Sequence, residues 1–347
     1  MLLKKHNRKP DIENLYKVLR REKPNRTVLY ELFLNDPLHE ILTGREFPKT
    51  APWDGLEYLK FVIDAYAAAG YDYAWTKGSN FCFPVDRDKK DGKSSVSLNE
   101  GFCITDRASL ESYKWQDPEK LDYSMLNDIK NYLPDGMKLS IMSPGGVLEN
   151  AISLAGYENL CTLIYDDPEL VKALFDNIGS RLLKHYEIAV SFDSIGIVMA
   201  NDDWGFNTQP FLSPDQMREY VFPWHKKIVE TAHSRKIPAI LHSCGHFSLI
   251  IDDIIDSIGF DGRHSYEDTI IPVEEAYEKW HDRIAIIGGM DVNFLVKSTE
   301  DQIASRVRKM LDLAADKGSY ALGSGNSIPE YIPQKNYFAM INAALDY

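Results

Sequence analysis

His242 and Cys244 stand two apart at the end of an apolar run, within His242-Ser-Cys-Gly-His246. Side chains at i and i+2 of a strand leave the same face. An imidazole and a thiolate side by side suit Zn²⁺. Two donors do not make a site, so a third must come from elsewhere in the chain. A buried cysteine beside a hydrogen-bonded histidine is the plainer alternative. Asp202 and Asp203 follow another apolar run, in Asn201-Asp-Asp-Trp-Gly205. A carboxylate there could serve as base, metal ligand or substrate anchor, or simply cap the next turn. Trp204 would then wall the pocket. His264, in Arg263-His-Ser-Tyr-Glu-Asp268, has the same choice of base, ligand or cap. Asp291 follows Gly288-Gly-Met, where glycines allow close backbone approach, and could bind or stabilise the loop. Gly323-Ser-Gly-Asn-Ser327 adds Asn326 and a Gly-rich turn without a dinucleotide fingerprint.

These segments recur because short apolar runs alternate with amphipathic stretches. Residues 28–34, 71–75, 138–143, 195–200, 239–242, 260–264, 284–288 and 320–323 read as strands. Residues 56–69, 118–132, 168–192, 213–235, 247–258, 272–280, 299–317 and 333–345 read as helices, with another starting at Val147. Ser213-Pro-Asp-Gln and Thr299-Glu-Asp-Gln are helix-start signals. Near-continuous apolar strands alternating with helices predict a parallel sheet covered by helices. Eight such units fit an α/β fold of the (β/α)₈ TIM-barrel type, with a doubly wound sheet as the alternative. In a barrel, chemistry gathers at the C-terminal ends of the strands, where the polar segments above fall. Residues 1–347 read as one domain, with an N-terminal elaboration (1–25) and an excursion (78–115). The charge run at 86–92 reads as a solvated turn, and 96–104 as a hairpin arm.

The 347 residues are 44% apolar and 26% charged, a soluble globular profile with material for a sizeable core. The net charge of −13 disfavours nucleic acid and anionic membranes as partners. Cys82, Cys103, Cys161 and Cys244 form no CxxC and no dense framework. The first residues lack the apolar stretch of a signal peptide, and no run approaches the roughly 18 apolar residues of a membrane span. A cytoplasmic enzyme acting on a small molecule is the expectation. No GxSxG, P-loop or HExxH occurs.

Asp202-Asp-Trp-Gly205, Leu212-Ser-Pro-Asp-Gln-Met-Arg-Glu-Tyr220 with Pro223, His242-Ser-Cys-Gly245 and Gly288-Gly-Met-Asp291, in that order and spacing, resemble the uroporphyrinogen decarboxylase superfamily. The likeness is clear from about residue 190 onward. It implies a (β/α)₈ barrel and one of two activities. One branch decarboxylates acetate side chains of uroporphyrinogen without a cofactor. The other comprises zinc-dependent methyltransferases that move a methyl group between a corrinoid protein and a thiol or folate. The RQAGRY segment and FSD-type aspartate of the decarboxylases are missing; the corresponding regions read Val28-Leu-Tyr-Glu-Leu-Phe-Leu34 and Tyr71-Asp-Tyr-Ala-Trp75. His242 and Cys244 match the HxC pair of the methyltransferases. Their later cysteine is absent, its place falling near Gly325. The resemblance therefore implies Zn²⁺ on His242 and Cys244, with the third ligand from Asp202, Asp203 or His264. Asp203, His264 and Asp291 are the candidate catalytic residues, and Trp204 and Asn326 the candidate substrate contacts. Zinc-assisted methyl transfer with a corrinoid protein or folate is the leading expectation. Decarboxylation of a carboxylate-rich substrate and non-catalytic binding of a corrinoid or methyl-donor protein are the alternatives.

Overall fold

The computed structural model describes residues 2–47, 52, 55–85 and 98–347. Eight parallel strands run in chain order: β1 (Val28–Leu29), β2 (Tyr73–Thr76), β3 (Lys138–Met142), β4 (Ile195–Asn201), β5 (Ala239–His242), β6 (Gly262–His264), β7 (Ala285–Ile287) and β8 (Tyr320–Leu322). Their spatial order is β1-β8-β7-β6-β5-β4-β3-β2, the cyclic order of a (β/α)₈ barrel, with helices outside. Every residue of β2 and of β5 to β8 is buried, as expected for strands covered on one face and packed side chain to side chain within the barrel.

Parallel ladders join every neighbouring pair in that order, and none joins β1 to β2 among the described residues. Tyr73 bridges that seam instead. Its hydroxyl accepts the Glu31 N–H at 2.9 Å and donates to the Glu31 carbonyl. Its ring stacks on Tyr30 at 5.0 Å. The strand expected over 28–34 is therefore only two residues long. Beyond Leu29, Tyr30 N–H still donates to the Leu322 carbonyl at 2.7 Å, and Leu34 then bridges to Ile328.

The N-terminal elaboration carries the helix Ile12–Leu19, capped by Asp11. Leu15, Val18 and Leu19 are buried, and the Tyr16 hydroxyl donates to the Gly196 carbonyl at the start of β4. The helix thus closes the barrel end opposite the polar strand ends. Each such aliphatic side chain withdrawn from water contributes about 1.5–3 kcal/mol. Residues 118–132, expected as one helix, break into the short turns Pro118–Lys120, Met125–Asp128 and Ile129–Asn131. The charge run at 86–92 and the start of the expected hairpin arm lie outside the described residues; 98–104 contain no strand. Among the described residues, no helix is long and apolar enough to cross a membrane.

Candidate metal and substrate site at the barrel mouth

β5 and β6 end in register, with His242 opposite His264. Their Nδ1 atoms lie 2.7 Å apart. His264 Nε2 lies 3.2 Å from the Ser324 carbonyl. A carbonyl oxygen only accepts, so His264 carries its proton on Nε2. Burial holds His264 well below the ordinary histidine range, and it is neutral, with Nδ1 bare. His242 must then donate from Nδ1. Burial, with the nearby Arg263 charge, pulls His242 down to about 3, so it too is neutral and its Nε2 keeps a free lone pair.

That lone pair faces two other donors. His242 Nε2 is 3.9 Å from Cys244 Sγ and 3.9 Å from Asp203 Oδ1. The three ligand atoms all lie within 4.8 Å of one another. Tetrahedral zinc with N, O and S ligands separates its donors by about 3.3–3.8 Å, so small side-chain adjustments would suffice. The imidazole is already in ligating form, and the carboxylate and thiol complete a three-donor set. These residues fit a zinc ion.

The surroundings favour a sulfur anion once a cation is present. Asn326 Nδ2 donates to Cys244 Sγ at 3.3 Å, and the Ser265 hydroxyl lies 3.5 Å from it. Arg263 is fully buried, donates to the Ser243 and Ser265 carbonyls, and lies 3.4 Å from the Phe247 ring centroid. Among the described residues no salt bridge joins it to a carboxylate, and its charge acts on His242 and Asp203. Burial, and then the Asp203 carboxylate, push the Cys244 thiol well above its ordinary range. A cation bound to the sulfur would oppose that shift. Asp203 is fixed by the Cys244 N–H, which donates to Oδ1 at 2.8 Å. Glu149 interacts with Asp203 as well. Burial and the Asp203 and Asp202 charges hold the Glu149 carboxyl well above the carboxylate range.

Asp202 points the other way, as its place next to Asp203 dictates. Its carboxylate accepts the Leu148 and Glu149 N–H groups at 3.0 and 2.9 Å, and His225 Nε2 lies 2.8 Å away. It caps the helix Val147–Ala155 from outside that helix. A Cβ at Gly146 would lie 2.0 Å from Asp202 Cβ, which explains the glycine at that turn. The expectation of Asp202 as a metal ligand is thus corrected: both its oxygens are used, away from the cluster. Trp204 is 1% exposed and packs on Phe222 and His225 at 5.3 and 5.1 Å, so it is core rather than a pocket wall. His264 supports His242 from behind and is not a base at the mouth. Asp291 caps the helix Val292–Lys297 through Phe294 N–H at 2.8 Å, and accepts from Asp268 N–H at 3.1 Å. With both oxygens held by backbone, it is a structural residue that borders the mouth.

A cavity of about 330 Å³ opens over β6, β7 and β8, lined by Tyr266, Glu267, Asp291, Asn293, Asn326 and Tyr331 among others. Asn326 joins it to the donor cluster through its bond to Cys244. Glu267 is pushed up by burial and by Asp291, and no Lys or Arg is among the described lining residues. Arg263, Ser265, Glu149, Glu31 and Ser324 join the site only through the fold. Glu31 did carry a signal, as a lone carboxylate inside the apolar run 28–34.

The family model for uroporphyrinogen decarboxylase (URO-D) matches residues 107–347. A uroporphyrinogen decarboxylase of Anaeromyxobacter dehalogenans is 23% identical over 286 residues, which are 80% of this chain and 75% of that protein. A uroporphyrinogen decarboxylase of Alkalilimnicola ehrlichii is 25% identical over 191 residues, 54% of this chain and 50% of the other. Among solved structures, a methyltransferase from Methanosarcina mazei superposes with a TM-score of 0.71 at 16% identity, covering 95% of this chain and 97% of that one. That likeness is one of fold.

Proposed function

The chain belongs to the uroporphyrinogen decarboxylase family, and from that premise we propose that it is a zinc-assisted methyltransferase working between a corrinoid protein and a thiol or folate. The observation that carries this reading is the bare Nε2 of His242 facing Asp203 and Cys244. A family fold run by arginine-held carboxylates would have no use for such a donor set. When bound, zinc supplies a Lewis acid that lowers the pKa of a substrate thiol and holds it as the nucleophile. The protein's own part is to present the imidazole of His242, the sulfur of Cys244 and the carboxylate of Asp203, which would hold the zinc and leave it able to take a substrate ligand. Asn326 and Ser265 steady the Cys244 sulfur by hydrogen bonds, and the buried Arg263 offsets the negative charge that the anionic ligands add. The carboxylate in place of a second thiolate makes the site harder than a two-sulfur site. The cavity beside Asn326 holds the small substrate, while a corrinoid protein would dock across the strand ends. A cytoplasmic setting belongs to this reading, since Cys82, Cys103, Cys161 and Cys244 are all free thiols.

Decarboxylation is the second reading, suggested by the names of the curated relatives. It needs cations to hold substrate carboxylates, and the cavity lining offers Glu267 and Asp291 instead. The test uses zinc-loaded protein with methylcobalamin and either 2-mercaptoethanesulfonate, homocysteine or tetrahydrofolate. Metal-dependent demethylation of the corrinoid is expected with one of these acceptors, and no CO₂ from uroporphyrinogen. Release of CO₂ without demethylation would reverse the assignment. Binding of methylcobalamin without turnover of any acceptor would leave only the non-catalytic binder.

A further inference from the structure

We infer that Glu31 and Ser324 are positioning residues that fix the tautomers of His264 and His242 from across the barrel seam. The inference rests on the metal reading only at its last link; the tautomers exist in the protein without metal. The connection is a continuous line of hydrogen bonds. Glu31 is fully buried where β1 ends. The Ser324 N–H donates to Glu31 Oε1 at 2.7 Å, and the Ser324 hydroxyl lies 2.6 Å from Oε2. Two contacts to one residue hold the peptide after β8 in place. The carbonyl of that same Ser324 receives His264 Nε2, and His264 Nδ1 in turn receives His242.

Each link removes a choice. Alone, a neutral imidazole puts its proton on either nitrogen. With the Ser324 carbonyl fixed on Nε2 of His264, the proton must sit there, and the pattern passes to His242 with only Nε2 left bare. Packing keeps the line straight. Tyr30 lies 5.3 Å from the His264 ring, and its neighbour Tyr73 grips the Glu31 backbone. Gly288 leaves the needed space: a Cβ there would come within 2.4 Å of the Ser324 carbonyl oxygen and 2.8 Å of His264 Nε2. The Glu31 carboxyl reaches the donor cluster through Ser324 and His264, while its backbone is tied through Tyr73 to the packing around Tyr30. Groups of this kind behind a ligating histidine set its orientation and basicity.

The experiment is two-bond ¹H–¹⁵N correlation on ¹⁵N-histidine-labelled, metal-free protein, with zinc affinity measured alongside. Wild type should show His264 protonated on Nε2 and His242 on Nδ1. Glu31→Gln keeps an acceptor for the Ser324 N–H and a partner for its hydroxyl, so both tautomers should persist, with zinc affinity within about threefold. Glu31→Leu should mix the tautomers of both rings and weaken zinc roughly 10- to 100-fold. Ser324→Ala, which removes one of the two ties and little volume, should show the same change in smaller measure. His242 protonated on Nε2 in wild type would overturn the inference, whatever the variants do. So would unchanged tautomers in folded Glu31→Leu. The expected tautomers in a protein that binds no zinc would overturn the metal reading and leave the relay standing.

Discussion

His242→Ala, Cys244→Ser and Asp203→Asn should each weaken zinc binding by roughly a hundredfold or more, measured by competition with a chromophoric chelator. Each change takes one donor from a set of three, and two protein ligands do not retain zinc against water and chelator. The losses have different origins. His242→Ala removes the neutral nitrogen donor and leaves His264 Nδ1 without its partner. Cys244→Ser replaces a soft donor with a hard, weakly acidic one and gives up the Asn326 contact to sulfur. Asp203→Asn keeps the shape and the bond from the Cys244 N–H but removes the charge. Cys161→Ser, at a cysteine on the helix Tyr157–Asp166, should leave zinc binding unchanged. Equal binding by wild type and all three site variants would make His242 and Cys244 an ordinary buried pair.

The second large effect concerns stability. Burial holds the Glu31 carboxyl up to about 8, against an ordinary value of 4.5, with Ser324 pulling weakly the other way. Below pH 4.5 the group is neutral in folded and unfolded chains alike, and its neutral contacts stabilise the fold in full. As pH rises, the unfolded chain gains by ionising while folded Glu31 stays protonated, so stability falls until the folded group itself titrates near 8. Glu31→Gln has no such group. Wild type should therefore lose on the order of 3–4 kcal/mol relative to Glu31→Gln between pH 5 and pH 8, read from urea unfolding of both proteins. A difference between the two that is flat across this range would mean that Glu31 ionises freely in the folded chain.

The barrel was legible because its signal is repeated: apolar strands and amphipathic helices alternate through the chain, and polar residues collect after one strand after another. His242 and Cys244 were legible as a pair because a strand's two-residue period is local. What decides between Asp202 and Asp203 is not local. The chain turns after β4, so one carboxylate faces the mouth and its neighbour reaches back to the helix Val147–Ala155, whose free N–H groups no pattern in 195–205 announces. Trp204 follows the same turn into the core. His264 reads as a base or ligand until the register of β5 against β6 places it behind His242. Asp291 reads as a binding residue until the helix Val292–Lys297, unmarked by any long apolar stripe, claims its oxygens. Glu31 and Ser324 meet across 293 positions, a contact set only when the barrel's last strand comes to lie beside its first.

X-ray absorption at the zinc edge of the zinc-loaded protein tests the site most directly. One sulfur at about 2.3 Å is expected, with the remaining ligands nitrogen or oxygen at about 2.0–2.1 Å, and a shell without sulfur in Cys244→Ser. A wild-type shell with no sulfur, or with two, would contradict it.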